Sequence, residues 1–200
     1  LDSEILTTAA TPFAANGGVK LLEGNLGRSV IKTSAVQEKH YIIEAPAVVI
    51  DDQDDLKPLF EAGELDKDCI VVVRFQGPAA NGMPELHKLT PMLGVLQDKG
   101  YKIALVTDGR MSGASGKVPA AIHLVPEASQ GGLLAKIHNG DVIRLDATTG
   151  VLSALVDQDV LSSRVAAVAP VVPRTIGRQM FANNRNAVSS AEEGASSLFS

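Results

Sequence analysis

The residues with chemistry to offer gather in two stretches. Lys102–Ala121, KIALVTDGRMSGASGKVPAA, places Asp108, Arg110, Ser112, Ser115 and Lys117 directly after the apolar run Ile103–Val106. Gln76–Pro91, QGPAANGMPELHKLTP, carries Glu85, His87 and Lys88. In the first stretch Gly109, Gly113 and Gly116 remove side-chain bulk, so backbone N–H groups can approach a ligand. Carboxylate oxygens such as those of Glu85 suit a hard divalent cation, with water or substrate completing its shell. A serine beside such a cation can act as a base, because the metal stabilises its alkoxide. Arg110, Lys117, Lys88 and His87 are of the types that bind phosphate or carboxylate through charge-assisted hydrogen bonds.

Each residue also has a plainer reading. Glu85 suits the N-terminus of a helix over Leu86–Gln97, where a carboxylate favours the dipole. Ser112 can satisfy turn backbone. Asp108 can hold its loop by hydrogen bonds as readily as touch substrate, and the lysines can simply be solvated. The loop is not a Walker A motif, since Met111 stands at the first glycine position and Val118 where a metal-binding hydroxyl is required. Nor is it a dinucleotide fingerprint: the glycines fall as G-x-x-x-G-x-x-G and Pro119 interrupts the expected helix. No nucleophile elbow or Ser-His-Asp order points to a hydrolase.

The elements that must position these residues read as a strand–loop–helix–strand–loop series. Cys69–Phe75, CIVVVRF, is apolar throughout and predicts a strand buried on both faces. Its following loop leads to the helix Leu86–Gln97, then to the strand Ile103–Val106 and the second loop. Parallel connectivity puts both loops on one side of the sheet, facing each other. Upstream, Thr7–Gly27 reads as loop with short extended pieces, Ser29–Val36 and Ala47–Ile50 as strands, and Asp51–Asp55 as acidic residues opening a helix. Downstream come a short strand after Pro119, a brief helix closed by Asn139-Gly140, and a hairpin of Asp141–Asp146 with Val151–Val156. Asp157–Arg164 reads as a short helix. His123 and His138 read as structural.

Two hundred residues suffice for one cored domain. With no Trp and five Phe, the core must be aliphatic, and the lone Cys69 excludes an internal disulfide and reads as a core thiol. The net charge of −5 argues against nucleic acid as a partner, and no apolar run reaches the roughly 20 residues of a membrane span. The opening at Leu1 reads as the interior of a longer protein.

The strings NGMPELHKLTP and LVTDGRMSGASGKVPAAIH, with GNLGRSVIK before them and VPEA, GGLLAKI and NGDVIRLD after them, resemble the C-terminal portion of the dihydroxy-acid and sugar-acid dehydratase family. The resemblance is strong over Gly24–Asp146 and looser to about residue 190. It implies a mixed α/β fold, a swivelling β/β/α domain whose mixed, barrel-like β-sheet is flanked by short helices. Residues 1–200 would be one C-terminal domain, with a loop-rich lead-in at 1–28 and a tail at 165–200. The implied reaction is the dehydration of a sugar acid to a 2-keto acid in the Entner–Doudoroff pathway, from 6-phospho-D-gluconate to 2-keto-3-deoxy-6-phosphogluconate. Ser112 falls on the family's base and Glu85 on a magnesium ligand. Asp108, Arg110, Lys117, His87, Lys88 and Ser115 remain substrate-binding candidates. The iron–sulfur cluster, of 4Fe-4S or 2Fe-2S type, belongs to the N-terminal domain, and no cofactor-binding residue is expected here. The implied partners are that domain, a second copy in a homodimer and the small anionic substrate; the implied location is the cytoplasm. A non-catalytic metabolite-binding module, or a dehydratase for a non-phosphorylated sugar acid or dihydroxy acid, stands as the alternative.

Overall fold

The computed structural model describes residues 2, 4–112, 116–171 and 175–198. Eight strands close into a barrel: β1 (Val19–Gly24), β2 (Gly27–Lys32), β3 (Ile42–Ile50), β4 (Cys69–Val73), β5 (Ile103–Thr107), β6 (Ala120–Val125), β7 (Val142–Asp146) and β8 (Val151–Ala154). Their order around the barrel is β1-β2-β6-β5-β4-β3-β7-β8. The sheet is mixed as expected. β3, β4, β5 and β6 run parallel to their neighbours in that series, whereas β1 with β2, β2 with β6, β3 with β7 and β7 with β8 pair antiparallel.

Strand alternation divides the core in two. Inside the barrel lie Leu22, Ile31, Ile43, Ile70, Val72, Ala104, Val106, Ala121, Leu145 and Leu152. On the outer face, Cys69, Val71, Val73, Ile103 and Leu105 pack under helices α1 (Leu56–Glu61) and, after the four-residue α2 (Pro78–Asn81), α3 (Leu89–Asp98), which contribute Leu56, Leu89, Leu93 and Leu96. β4 and β5 are therefore buried on both faces, the arrangement their unbroken apolar runs predict. α3 tolerates Pro91 because that residue lies in its first turn, where an N–H has no intrahelical acceptor. Asp52 opens the acidic segment before α1 with a reciprocal capping box to Asp55.

Some boundaries differ from the sequence reading. The stretch read as loop with extended pieces contains β1, which pairs with β2 across a two-residue connection, Asn25 and Leu26. β3 begins at Ile42 rather than Ala47. Its first half pairs with β7 through Pro46, and only from Ala47 onward does it pair with β4, so the proline's missing N–H falls where the strand changes partner. α4 (Gln158–Ser163) is N-capped by Asp157. The tail then forms two short helices, α5 (Ile176–Met180) and α6 (Ala182–Asn186), tied back through Arg178 to Asn81 and through Glu192 to Arg28. No helix among the described residues is long and apolar enough to cross a membrane.

Candidate active site

The polypeptide leaves the carboxyl ends of β4 and β5, two adjacent parallel strands, on the same side of the barrel. Side chains there are held by a rigid sheet while the loops remain reachable, the usual setting for ligands in open parallel arrangements. The two loops meet through a parallel bridge between Glu85 and Arg110, with the Leu86 N–H donating to the Arg110 carbonyl at 3.2 Å.

Asp108 sits beneath this junction, fully buried. Its Oδ1 accepts from the Gln76 N–H at 2.8 Å, and its Oδ2 from the N–H groups of Phe75 at 3.2 Å and Ala128 at 2.9 Å. One carboxylate thus ties the ends of β4 and β5 to the turn after β6. Burial pushes its pKa up to about 6, against the lowering effect of the backbone donors. Of the two roles open to Asp108, holding the loop is the one its hydrogen bonds display. Gly109 follows with no room for a side chain: a Cβ would stand 2.7 Å from Gln76 Cβ and 3.0 Å from Leu86 Cδ1. This close approach sets the spacing of the loops above it.

Arg110, Glu85 and Ser112 come together on that base. The Arg110 guanidinium donates from Nε to the Met83 carbonyl at 2.9 Å and from NH1 to Glu85 Oε2 at 2.8 Å, while the Ser112 N–H donates to Glu85 Oε1 at 2.7 Å. Glu85 is bound to the opposite loop, four residues ahead of α3, so it does not serve that helix's dipole. The pair is partly exposed, with Arg110 at 48% and Glu85 at 34% of side-chain area. Its guanidinium is oriented and still open to solvent.

The remaining candidates are dispersed. Lys117 pairs with Asp98 at the end of α3, and it lines a groove over that helix with His87, Thr90 and Val95. Lys88 pairs with Asp54 at 3.1 Å, on the side of α1. Ser115 lies outside the described residues. Sequence reasoning passed over Glu127, which accepts from the N–H groups of Ala79 at 3.0 Å and Ala80 at 3.1 Å and so fixes the start of α2. The only local signal was the turn string VPEA.

The donor set can be weighed against the implied cofactors. Glu85 offers hard oxygens, each accepting one hydrogen bond with lone-pair capacity left, which suits one ligand to magnesium. Among the described residues no three His, Cys, Asp or Glu side chains are gathered as a metal site, so Glu85 would be a single contribution from this chain. Cys69 does not suit an iron–sulfur cluster. It lies fully buried under α3, and burial raises its thiol pKa to about 11, away from the thiolate a cluster requires.

Over 99% of its length the chain is 56% identical to phosphogluconate dehydratase of Escherichia coli (strain K12) and 58% identical to the protein of that name from Pseudomonas aeruginosa. Dihydroxy-acid dehydratase of Wolinella succinogenes is 34% identical over 98% of the chain. The chain spans about a third of the length of these relatives, 33% of the first two and 35% of the last. Residues 4–195 match the family described as dihydroxy-acid/6-phosphogluconate dehydratase, C-terminal, and the chain belongs to that family.

Proposed function

We propose that this chain is the C-terminal part of a hydro-lyase that converts 6-phospho-D-gluconate to 2-keto-3-deoxy-6-phosphogluconate and water. The observation that carries the substrate is the gap between 56–58% identity to phosphogluconate dehydratases and 34% to a dihydroxy-acid dehydratase. The Glu85–Arg110–Ser112 junction at the ends of β4 and β5 supports the location of the chemistry.

In this reading Ser112 Oγ, as the alkoxide, takes the proton from C2, the C2–C3 enol forms as the C3 hydroxyl leaves, the proton on Oγ passes to that hydroxyl to give water, and the enol becomes the 2-keto acid as its hydroxyl proton shifts to C3. Magnesium, for which Glu85 would be one ligand, and an iron–sulfur cluster held outside this chain would supply Lewis acidity to the site. Glu85 holds the Ser112 backbone in place through its N–H, which fixes where Oγ is presented. Arg110, oriented by Glu85 and Met83, offers its exposed edge to the substrate's anionic group. Lys117 and His87, which share the groove over α3, stand as contacts for the distal phosphate. The rest of the polypeptide completes the site, and a cytoplasmic homodimer belongs to the same proposal.

The test uses the full-length protein prepared without oxygen, following keto-acid formation from 6-phosphogluconate. Ser112→Ala is expected to lose about 10²- to 10⁴-fold in kcat with fold and metal content retained, the span of a general base. Near-parental turnover by the variant removes Ser112 from the chemistry. A parent inert toward 6-phosphogluconate but active on a dihydroxy acid overturns the substrate.

A further inference from the structure

β6 carries a bulge where it pairs with β2. Arg28 of β2 faces Val125 and Val30 faces Ile122, so three steps along β6 answer two along β2. The extra residue lets Ile122 pack toward the outer core and Leu124 toward the barrel interior. His123 occupies this bulge with φ of +58°, in the left-handed region where a bulge of this kind ordinarily places glycine. A side chain kept at a position that glycine would fill at lower conformational cost points to a use for that side chain.

The bulge is also built into the candidate site. β6 runs parallel to β5, so His123 lies near the carboxyl end of the third consecutive strand on the side where the two loops emerge. Its N–H donates to the Gly109 carbonyl at 2.9 Å, one residue from Arg110, and the buried Ser29 hydroxyl donates to the adjoining Ile122 carbonyl at 2.7 Å. The imidazole is half-buried. Burial, and then the nearby Arg110 charge, lower its pKa and favour the neutral ring.

We infer that His123 is a substrate-contacting residue, presented by the β6 bulge beside Arg110 to hydrogen-bond a hydroxyl of the polyhydroxy acid. A neutral imidazole has one donor and one acceptor nitrogen, which match a hydroxyl, whereas Arg110 has only donors and matches an anion. Together they read an anionic group and a neighbouring hydroxyl.

His123→Gly in the full-length protein removes the imidazole while suiting the backbone. Thermal stability is expected to hold or rise, while kcat/KM for 6-phosphogluconate falls about 10- to 100-fold, the scale of one substrate hydrogen bond, mainly through KM. His123→Asn, which tolerates positive φ and keeps a donor and an acceptor, is expected to recover part of the loss. Parental kcat/KM in His123→Gly overturns the inference, as does a loss of stability that accompanies the loss of turnover and marks the ring as packing. The inference rests on the dehydratase reading, yet the two fail differently. A parent with an intact cluster and no turnover sinks that reading; protection of the parent by 6-phosphogluconate against thermal unfolding then decides for His123. Protection lost in His123→Gly supports the contact, and protection equal or absent in both proteins overturns it.

Discussion

Replacing Gly109 by alanine probes the spacing on which the whole junction depends. The added methyl would meet Gln76 Cβ at 2.7 Å, Leu86 Cδ1 at 3.0 Å and the Gln76 carbonyl oxygen at 3.1 Å. Carbon atoms prefer separations of about 3.5–4.0 Å, so the β5 end and the Gln76 segment must part by roughly 1 Å. Neither side can yield freely. Asp108, the preceding residue, is bonded to the Gln76 N–H at 2.8 Å, and the Leu86 N–H is bonded to the Arg110 carbonyl. Overpacking of this kind costs about 1–3 kcal/mol, which at about 2–4 °C per kcal/mol for a chain of this size lowers Tm by roughly 2–12 °C. A displacement of about 1 Å at Arg110 and Ser112 is expected to reduce kcat/KM of the full-length protein about 10²-fold. Gly94→Ala is the control. That glycine sits inside α3 with nothing within 4 Å of an added Cβ, and alanine there is expected to stabilise by about 0.5–1 kcal/mol. The pair is measured by thermal unfolding of this chain and by turnover of the full-length protein. Parental Tm and turnover in Gly109→Ala would refute the claim that close packing at this glycine sets the loop geometry.

Asp108 makes a pH prediction. Because burial raises its folded-state pKa from an ordinary value of 3.8 to about 6, the folded chain retains a proton that the unfolded chain has already lost. Its contribution to stability is therefore fully present below about pH 4 and is lost as pH rises through about 6, by on the order of 3 kcal/mol. Unfolding of the parent and of Asp108→Asn across pH 4–7 should show the gap between them shrinking as pH rises; a gap independent of pH refutes this assignment. Arg110→Lys keeps the charge but cannot span the Met83 carbonyl and Glu85 together. As the ion pair is partly exposed, stability is expected to change by less than about 1 kcal/mol, while kcat/KM falls about 10- to 100-fold. Equal turnover by arginine and lysine would show that orientation of the guanidinium is unimportant.

Much of the scaffold was legible locally. Cys69–Val73 and Ile103–Val106 are continuous apolar runs of the kind that suits a strand covered on both faces, and the structure buries both completely. The parallel connection between them then required their loops to emerge together, and the bridge from Glu85 to Arg110 is the result. Less was legible where a residue's partner lies far along the chain. Lys117 and Lys88 read as anion-binding or solvated lysines, and the acidic partners that the fold brings to them, Asp98 and Asp54, lie 19 and 34 residues away along the chain. β1 was obscured by glycine-rich flanks, although its pairing with β2 needs only Gly24 and Gly27 at the turn.

The sequence by itself determined the family, the two double-faced strands and the two loops that carry Glu85, Arg110 and Ser112, because each is written in residues close together in the chain. Only the tertiary structure decided that the sheet closes as β8 meets β1 at Val151 and Glu23, that Asp108 is a buried tie for three backbone segments, and that the His123 N–H, at the β6 bulge, is bonded to the Gly109 carbonyl. Those outcomes depend on which distant backbone donors and strand edges meet. Local periodicity specifies which face of a strand is apolar, but the register between strands and the satisfaction of buried polar groups are settled only when the whole barrel packs.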